Sequence, residues 1–78
     1  MGDHHLDAKG LVCPLPVLRA GKAMKSLPVG GILHVETTDP ASPKDFVAFC
    51  AATGHVLLVS AVCGDIFRFT IEKVRPSP

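Results

Sequence analysis

Apolar positions recur along this chain with two different periods. Between residues 14 and 27, Val17, Leu18, Gly21, Met24 and Leu27 fall at spacings of three and four, which predicts one face of a helix. Arg19, Lys22, Lys25 and Ser26 take the opposite side. In "IFRFTIEK" at 66–73 the period changes to two: Phe67, Phe69 and Ile71 alternate with Arg68, Thr70 and Glu72, as in a strand with one wet and one covered face. The preceding run, "HVLLVSAVC" at 55–63, is apolar on both faces and leaves its inward set unmarked. "GD" joins these two strands as a short hairpin connection.

The remaining segments complete the order of elements. "HHLDA" at 4–8 reads as a first strand and "ILHVETT" at 32–38 as a second, with "PVGG" at 28–31 stopping the intervening helix through proline and left-handed glycine. "DPASPKD" is a turn into a second helix, with Ser42 as cap, Pro43 in the first turn and Asp45 as the third-residue partner of a capping box. Phe46, Phe49, Cys50 and Thr53 share one face of that helix, and Gly54 stops it. The order β-α-β-α-β-β predicts an α/β fold, an α+β two-layer sandwich with two helices packed on one face of a four-stranded mixed sheet.

Composition narrows what such a fold can do. At 78 residues, 47% of them hydrophobic and 19% charged, the chain reads as a single domain over 1–78, with its core at about 5–73 and a frayed tail at 74–78. A net charge of +1 argues against nucleic-acid binding by counterion release, and the absence of Tyr and Trp removes the usual stacking platforms. No apolar run reaches the ~20 residues of a membrane span, and "MGDHHLDAKG" lacks the apolar core of a secretion signal. The expectation is a cytoplasmic monomer without membrane or direct nucleic-acid partners. Three cysteines, Cys13, Cys50 and Cys63, cannot all pair within one chain, which fits reduced thiols. The basic surplus lies in the first 30 residues, around Cys13.

Cys13 is the residue with unexplained chemistry. It stands in "GLVCPLPV", directly before two prolines that bracket one leucine. A capping position would ordinarily take Ser, Thr, Asp or Asn, because a neutral thiol is a weak acceptor. Pro14 biases Cys13 toward the extended geometry of a helix cap and suits the first helical position itself. Pro16 removes another amide hydrogen, leaving Leu15 and Val17 as the nearby donors. A thiol at the positive end of a helix is expected to ionise readily, with Lys9 or Arg19 adding to the effect. An ordinary thiol of pKa ~8.5 is about 3% ionised at pH 7, and lowering it by two units would make roughly three quarters of it nucleophilic. Leu15, off the core face beside the thiol, reads as an exposed contact for a partner.

The other candidates carry less. Cys50 belongs with the second helix's apolar residues, and Cys63 has no helix start to activate it. No C-x-x-C pair is present, and His4, His5, His34 and His55 have no zinc-site spacing with the cysteines, so no metal is expected. His4 and His5 read as strand-edge residues and His55 as a satisfied loop histidine. Asp39, before Pro40, reads as a turn former.

The stretches "LDAKGLVCPLPVL" at 6–18, "TDPASPKDFVAFC" at 38–50 and "GHVLL" at 54–58 resemble the TusA/SirA/YedF-like family of small sulfur carriers, whose signature is Cys-Pro-x-Pro. The resemblance spans about residues 5–73 and implies the two-layer sandwich already read from the pattern. It implies that Cys13 accepts sulfane sulfur as a persulfide and hands it to a partner's cysteine, with no cofactor beyond that covalent sulfur. Partners would be a cysteine desulfurase or a rhodanese-type donor and a downstream acceptor protein, in transfer-RNA thiolation, cofactor assembly or sulfur metabolism. Pro14, Leu15, Pro16 and Val17 would support the thiol, and Lys9, Arg19, Lys22 and Lys25 would form a docking rim. Leu15 departs from the acidic residue common in relatives of the transfer-RNA relay type, and Gly21 before Lys22 departs from their arginine-lysine pair. Two other readings of the same residues are a non-catalytic protein- or RNA-interaction module built on the basic helix face, and a thiol redox sensor.

Overall fold

The two periods translate into two layers. The computed structural model describes residues 3–74, with β1 over Asp3–Ala8, α1 over Leu15–Lys25, β2 over Ile32–Thr37, α2 over Ser42–Thr53, β3 over Val56–Cys63 and β4 over Ile66–Glu72. The sheet order is β1-β2-β4-β3; β1 and β2 are parallel, while β4 runs antiparallel to both β2 and β3. This is the expected α/β arrangement of two helices packed on a four-stranded mixed sheet. Residues 75–78 of the expected frayed tail lie outside the described residues; Val74 is held, its amide donating to His55 Nδ1 at 3.3 Å.

Alternation decides which sheet face is covered. Leu33, Val35 and Thr37 of β2, Phe69 and Ile71 of β4, and Ala8 of β1 are buried against Ala20 and Met24 of α1 and Phe46 and Cys50 of α2. The Phe46 and Phe69 rings stack with centroids 4.5 Å apart, an aromatic contact worth about 0.5–1.5 kcal/mol beyond area burial. On the opposite sheet face, across β1, β2 and β4, Glu36 accepts from Arg68 Nε at 2.9 Å and from Lys9 Nζ at 3.3 Å, while the His5 and His34 rings stack at 4.7 Å. His4 and His5 thus stand on an edge strand, and His55 is satisfied by Val74, as expected.

Two local expectations are corrected. The inward face of α1 is Pro16, Ala20 and Met24, with Val17 and Leu27 at its margin, and Leu18 is 61% exposed. The small side chain of Ala20, not Leu18, lies against the sheet. Gly21 faces α2, where an added Cβ would stand 3.5 Å from Phe49 Cε1. In α2 the cap is Ala41, not Ser42: the Ser42 amide donates to the Asp39 carbonyl at 2.9 Å, and its Oγ is buried without a partner among the described residues. The capping box therefore does not form. At the other end of α2, Gly54 adopts φ +83° and donates to the Cys50 carbonyl at 2.9 Å, the left-handed stop read from the sequence. The strand whose inward set the sequence left unmarked, β3, is an edge strand whose Leu58, Val59 and Val62 remain exposed.

Candidate functional site

Parallel pairing of β1 and β2 sends the loops after both strands out at the same end of the sheet, and each loop enters a helix. Cys13 lies on the first loop and Asp39 on the second. Side chains tie the two together. Gly10, at φ +82°, turns the first loop and donates its amide to Thr38 Oγ1 at 2.9 Å. The Cys13 amide donates to Asp39 Oδ2 at 2.6 Å, and the Ala41 amide donates to Asp39 Oδ1 at 3.1 Å. One carboxylate thus bridges the cysteine loop and the entry to α2, satisfying donors that a bent loop would otherwise leave open.

Cys13 is exposed, and the Cys13–Pro14 peptide is cis. The cap of α1 is Pro14, with φ −98° and ψ 15° and no side-chain hydrogen bond, so Cys13 stands one residue upstream of the cap position expected for it. The Leu15 amide, read as a donor to the sulfur, donates instead to the Val12 carbonyl at 2.9 Å. Pro16 is buried, Val17 half-buried, and Pro14 and Leu15 exposed, Leu15 at 41%.

The electrostatics reverse the sequence expectation. The Cys13 thiol is pushed above the ordinary thiol range, first by its hydrogen bond with Asp45, then by partial desolvation, then by the negative charges of Asp45 and Asp39. A carboxylate beside a thiol disfavours a second negative charge and accepts a hydrogen bond only from the S–H form. Lys9 does not offset this, because its Nζ is 3.3 Å from Glu36 and 3.7 Å from Asp7. The carboxylates of Asp45 and Asp39 thus disfavour the thiolate expected at a helix start.

The basic residues divide. Lys9 belongs to the ion pairs around Glu36, whereas Arg19, Lys22 and Lys25 are exposed on α1 and make no ion pair among the described residues. An open groove of about 950 Å³ runs between α1 and α2, floored by Val17, Met24 and Phe49 and edged by Lys22, Lys25 and Lys73. A smaller one, about 610 Å³, lies on the other flank of α1 beside Leu15 and Arg19.

Cys50 is buried, and burial raises its thiol above the ordinary range; Cys63 is exposed at the end of β3. Burial, then the Lys73 charge, lowers His55 below the ordinary imidazole range, in keeping with a neutral ring accepting from Val74. Among the described residues no group of three or more His, Cys, Asp or Glu side chains is placed to hold a metal ion, and no helix is long and apolar enough to cross a membrane.

Asp39 and Asp45 are the members of this site that sequence reasoning assigned elsewhere, to a turn and to a cap. A signal for them was available in the β-α-β-α order. Two successive strands followed by helices bring their outgoing loops together when the strands are parallel neighbours, and "TDPASPKD" is the outgoing segment facing "GLVCPLP".

Comparison with known proteins places this geometry in context. The family model described as Sulfurtransferase TusA matches residues 4–73. The sulfur carrier protein TusA of Allochromatium vinosum is 51% identical over 71 residues, covering 91% of this chain and 93% of the relative. The putative sulfur carrier protein YrkI of Bacillus subtilis is 46% identical over 71 residues, covering 91% and 95%. The crystal structure of a SirA-like protein from Desulfitobacterium hafniense superposes with a TM-score of 0.79 at 27% identity, covering 91% of this chain and 97% of that one.

Proposed function

The chain belongs to the TusA family of sulfur carriers, and from that premise we propose that it accepts sulfane sulfur as a persulfide on Cys13 and transfers it to a cysteine of a partner protein. The observation that carries this reading is the placement of Cys13: an exposed sulfur in a proline-stiffened loop whose backbone is anchored by Asp39. A carrier sulfur must be reachable by two different proteins and yet return to one position between them. Exposure meets the first need, and the anchored loop meets the second.

The chemistry requires no cofactor. The Cys13 sulfur bonds to the terminal sulfur of a donor persulfide while the donor's own S–S bond breaks; the donor cysteine leaves as a thiolate and takes up the proton that Cys13 loses. Delivery repeats the exchange with Cys13 as the leaving sulfur. One S–S bond replaces another, with no net oxidation. Leu15 and the exposed cations Arg19, Lys22 and Lys25 supply an apolar and basic surface beside the sulfur for donor and acceptor. The donor is of the cysteine desulfurase or rhodanese type, and the acceptor presents a thiol.

Incubating the reduced protein with a cysteine desulfurase plus cysteine, or with a rhodanese plus thiosulfate, tests the proposal by intact mass and peptide mapping without reductant. One added sulfur on Cys13, released by reductant and absent from Cys13→Ser, is expected. No added sulfur from either donor, in protein whose Cys13 still alkylates, would overturn it.

A further inference from the structure

The sheet ends in two edges, and the chain treats them differently. An edge strand offers a row of unpaired amide and carbonyl groups to any other strand, and folded proteins ordinarily blunt it with charge, proline or a bulge. β1 uses charge: Asp3 and Asp7 flank His4 and His5 along it. β3, at the other edge, runs for eight residues, VLLVSAVC, with no charged side chain and no proline. Its register shift falls between Leu57 and Val59 and leaves residues 59–63 regularly paired to β4.

This bare edge is apolar on both of its faces. Val59 and Ala61 share the open face of the sheet with Thr70 and Arg68, their partners on β4, while Val62 pairs with Phe67 on the helix side. Val62 is nevertheless 63% exposed, and Val59 47%. The helix layer continues the pattern. α2 packs over β3 and β4 and turns Phe46 and Cys50 to the sheet and Phe49 and Thr53 to the groove beside α1. Val47 and Ala51, both exposed, therefore lie on the flank away from α1, above β3. An uncharged surface of this kind gives an ionic partner nothing to pair with, and its backbone edge calls for a strand that is apolar above and below. In this chain β1, β2 and β4 each carry at least one carboxylate. β3 carries none, so it matches itself without like charges opposite one another.

We propose that this flank is a self-association surface, at which residues 59–63 of two copies pair antiparallel about a two-fold axis at Ala61. The two sheets then join into one of eight strands, a departure from the monomer read from the sequence. Such a two-fold axis relates each strand to its own reverse, which is the antiparallel ladder. In this register Val59 of one copy stands opposite Cys63 of the other, Ser60 stands opposite Val62, and the small Ala61 lies at the axis. Paired strands stand about 4.8 Å apart, which brings the two α2 flanks side by side above them. The eight residues of β3 extend for about 27 Å on a molecule whose smallest dimension is 18 Å, a flank of about 500 Å² per copy. The pair buries about 1,000 Å², the lower bound for a specific complex, so association is weak and reversible. The loop that holds Cys13 follows β1, at the far edge of the sheet. Pairing at β3 leaves both sulfurs exposed, and the inference stands apart from whether Cys13 carries sulfur.

Sedimentation of the full chain from about 10 μM to about 1 mM tests this, with reductant present so that Cys13 and Cys63 cannot join copies through disulfides. The average mass of wild type is expected to rise with concentration from one chain toward two. Ala61→Lys sets like charges against each other at the axis and is expected to weaken association at least about tenfold. His4→Lys adds the same charge at the β1 edge and is expected to associate as wild type does. Protection of the β3 amides from hydrogen exchange is expected to grow with concentration, while that of the β1 amides stays constant.

A wild type that remains a single chain at the highest concentration overturns the proposal. Association unchanged in Ala61→Lys also overturns it, because the contact would then lie elsewhere. Equal loss in His4→Lys does the same, since net charge rather than the β3 edge would be responsible. Circular dichroism checks each fold; if Ala61→Lys is unfolded, Val59→Lys, at another exposed position of the same edge, decides by the same criteria.

Discussion

Cys13 and Cys50 are the same side chain with the same direction of pKa displacement, upward, for causes that differ in kind. Cys50 is raised because its sulfur lies within the α2 core beside Phe46 and the sheet, where a thiolate would lose its hydration. Cys13 is raised while exposed, chiefly because Asp45 accepts its proton in a hydrogen bond. Desolvation is a property of the fold and ends only when the fold opens. A contact with one carboxylate can be changed by a substitution, a salt or a docking protein without moving the core. The lesson is that a suppressed thiol is not a spent one: Cys50 is inert by position, and Cys13 is restrained by a neighbour.

The largest effect expected from separating them is in sulfur loading. Cys13→Ser is expected to lose all added sulfur in the desulfurase assay while keeping its urea midpoint, because an exposed loop side chain contributes little to packing. Cys50→Ala is expected to do the reverse: full loading by intact mass, with about 1–2 kcal/mol lost in urea unfolding for the buried sulfur removed. Loading abolished by both variants, each still folded, would erase the distinction.

A smaller effect is expected at the surface that flanks Cys13. Lys22 borders both grooves alongside α1. Lys22→Glu is expected to slow transfer from a protein donor several-fold and leave Cys13 alkylation by iodoacetamide within experimental error of wild type, since a small neutral reagent needs no docking surface. Equal transfer rates from every protein donor would remove Lys22 from the docking surface.

The same contrast explains what was legible in the sequence. The inward face of the last strand could be read because Phe69 and Ile71 alternate with charged and hydroxylic neighbours, and a half-covered sheet requires that period. Cys50 was placed correctly by its spacing from Phe46. Both facts are local. The expectation for Cys13 missed the carboxylates of Asp39 and Asp45, 26 and 32 positions away in the chain, which raise its thiol instead of lowering it. "SPKD" matches a capping box in sequence, but Ser42 is drawn into the helix by its amide's bond to the Asp39 carbonyl, so the box does not form. On α1, Leu18 fits the apolar period as well as Ala20 does; which of them faces the sheet is settled by how closely the backbone approaches it, and that is set by both layers together.

The smallest expected effect is also the one that divides the restraint on Cys13 into its parts. Raising ionic strength from 0.01 to 1 M shortens the Debye length from about 30 Å to about 3 Å, which screens the charges of Asp39 and Asp45 and leaves a hydrogen bond at contact distance in place. The Cys13 alkylation midpoint is therefore expected to fall with salt by less than it falls in Asp45→Asn, with less than about a threefold gain in rate at pH 7. Cys50, whose restraint involves no charge, is expected to show no shift while the protein stays folded. A salt shift in Cys13 equal to that of Asp45→Asn would mean that long-range charge alone restrains the sulfur. A docking protein could then free the sulfur through its net charge alone.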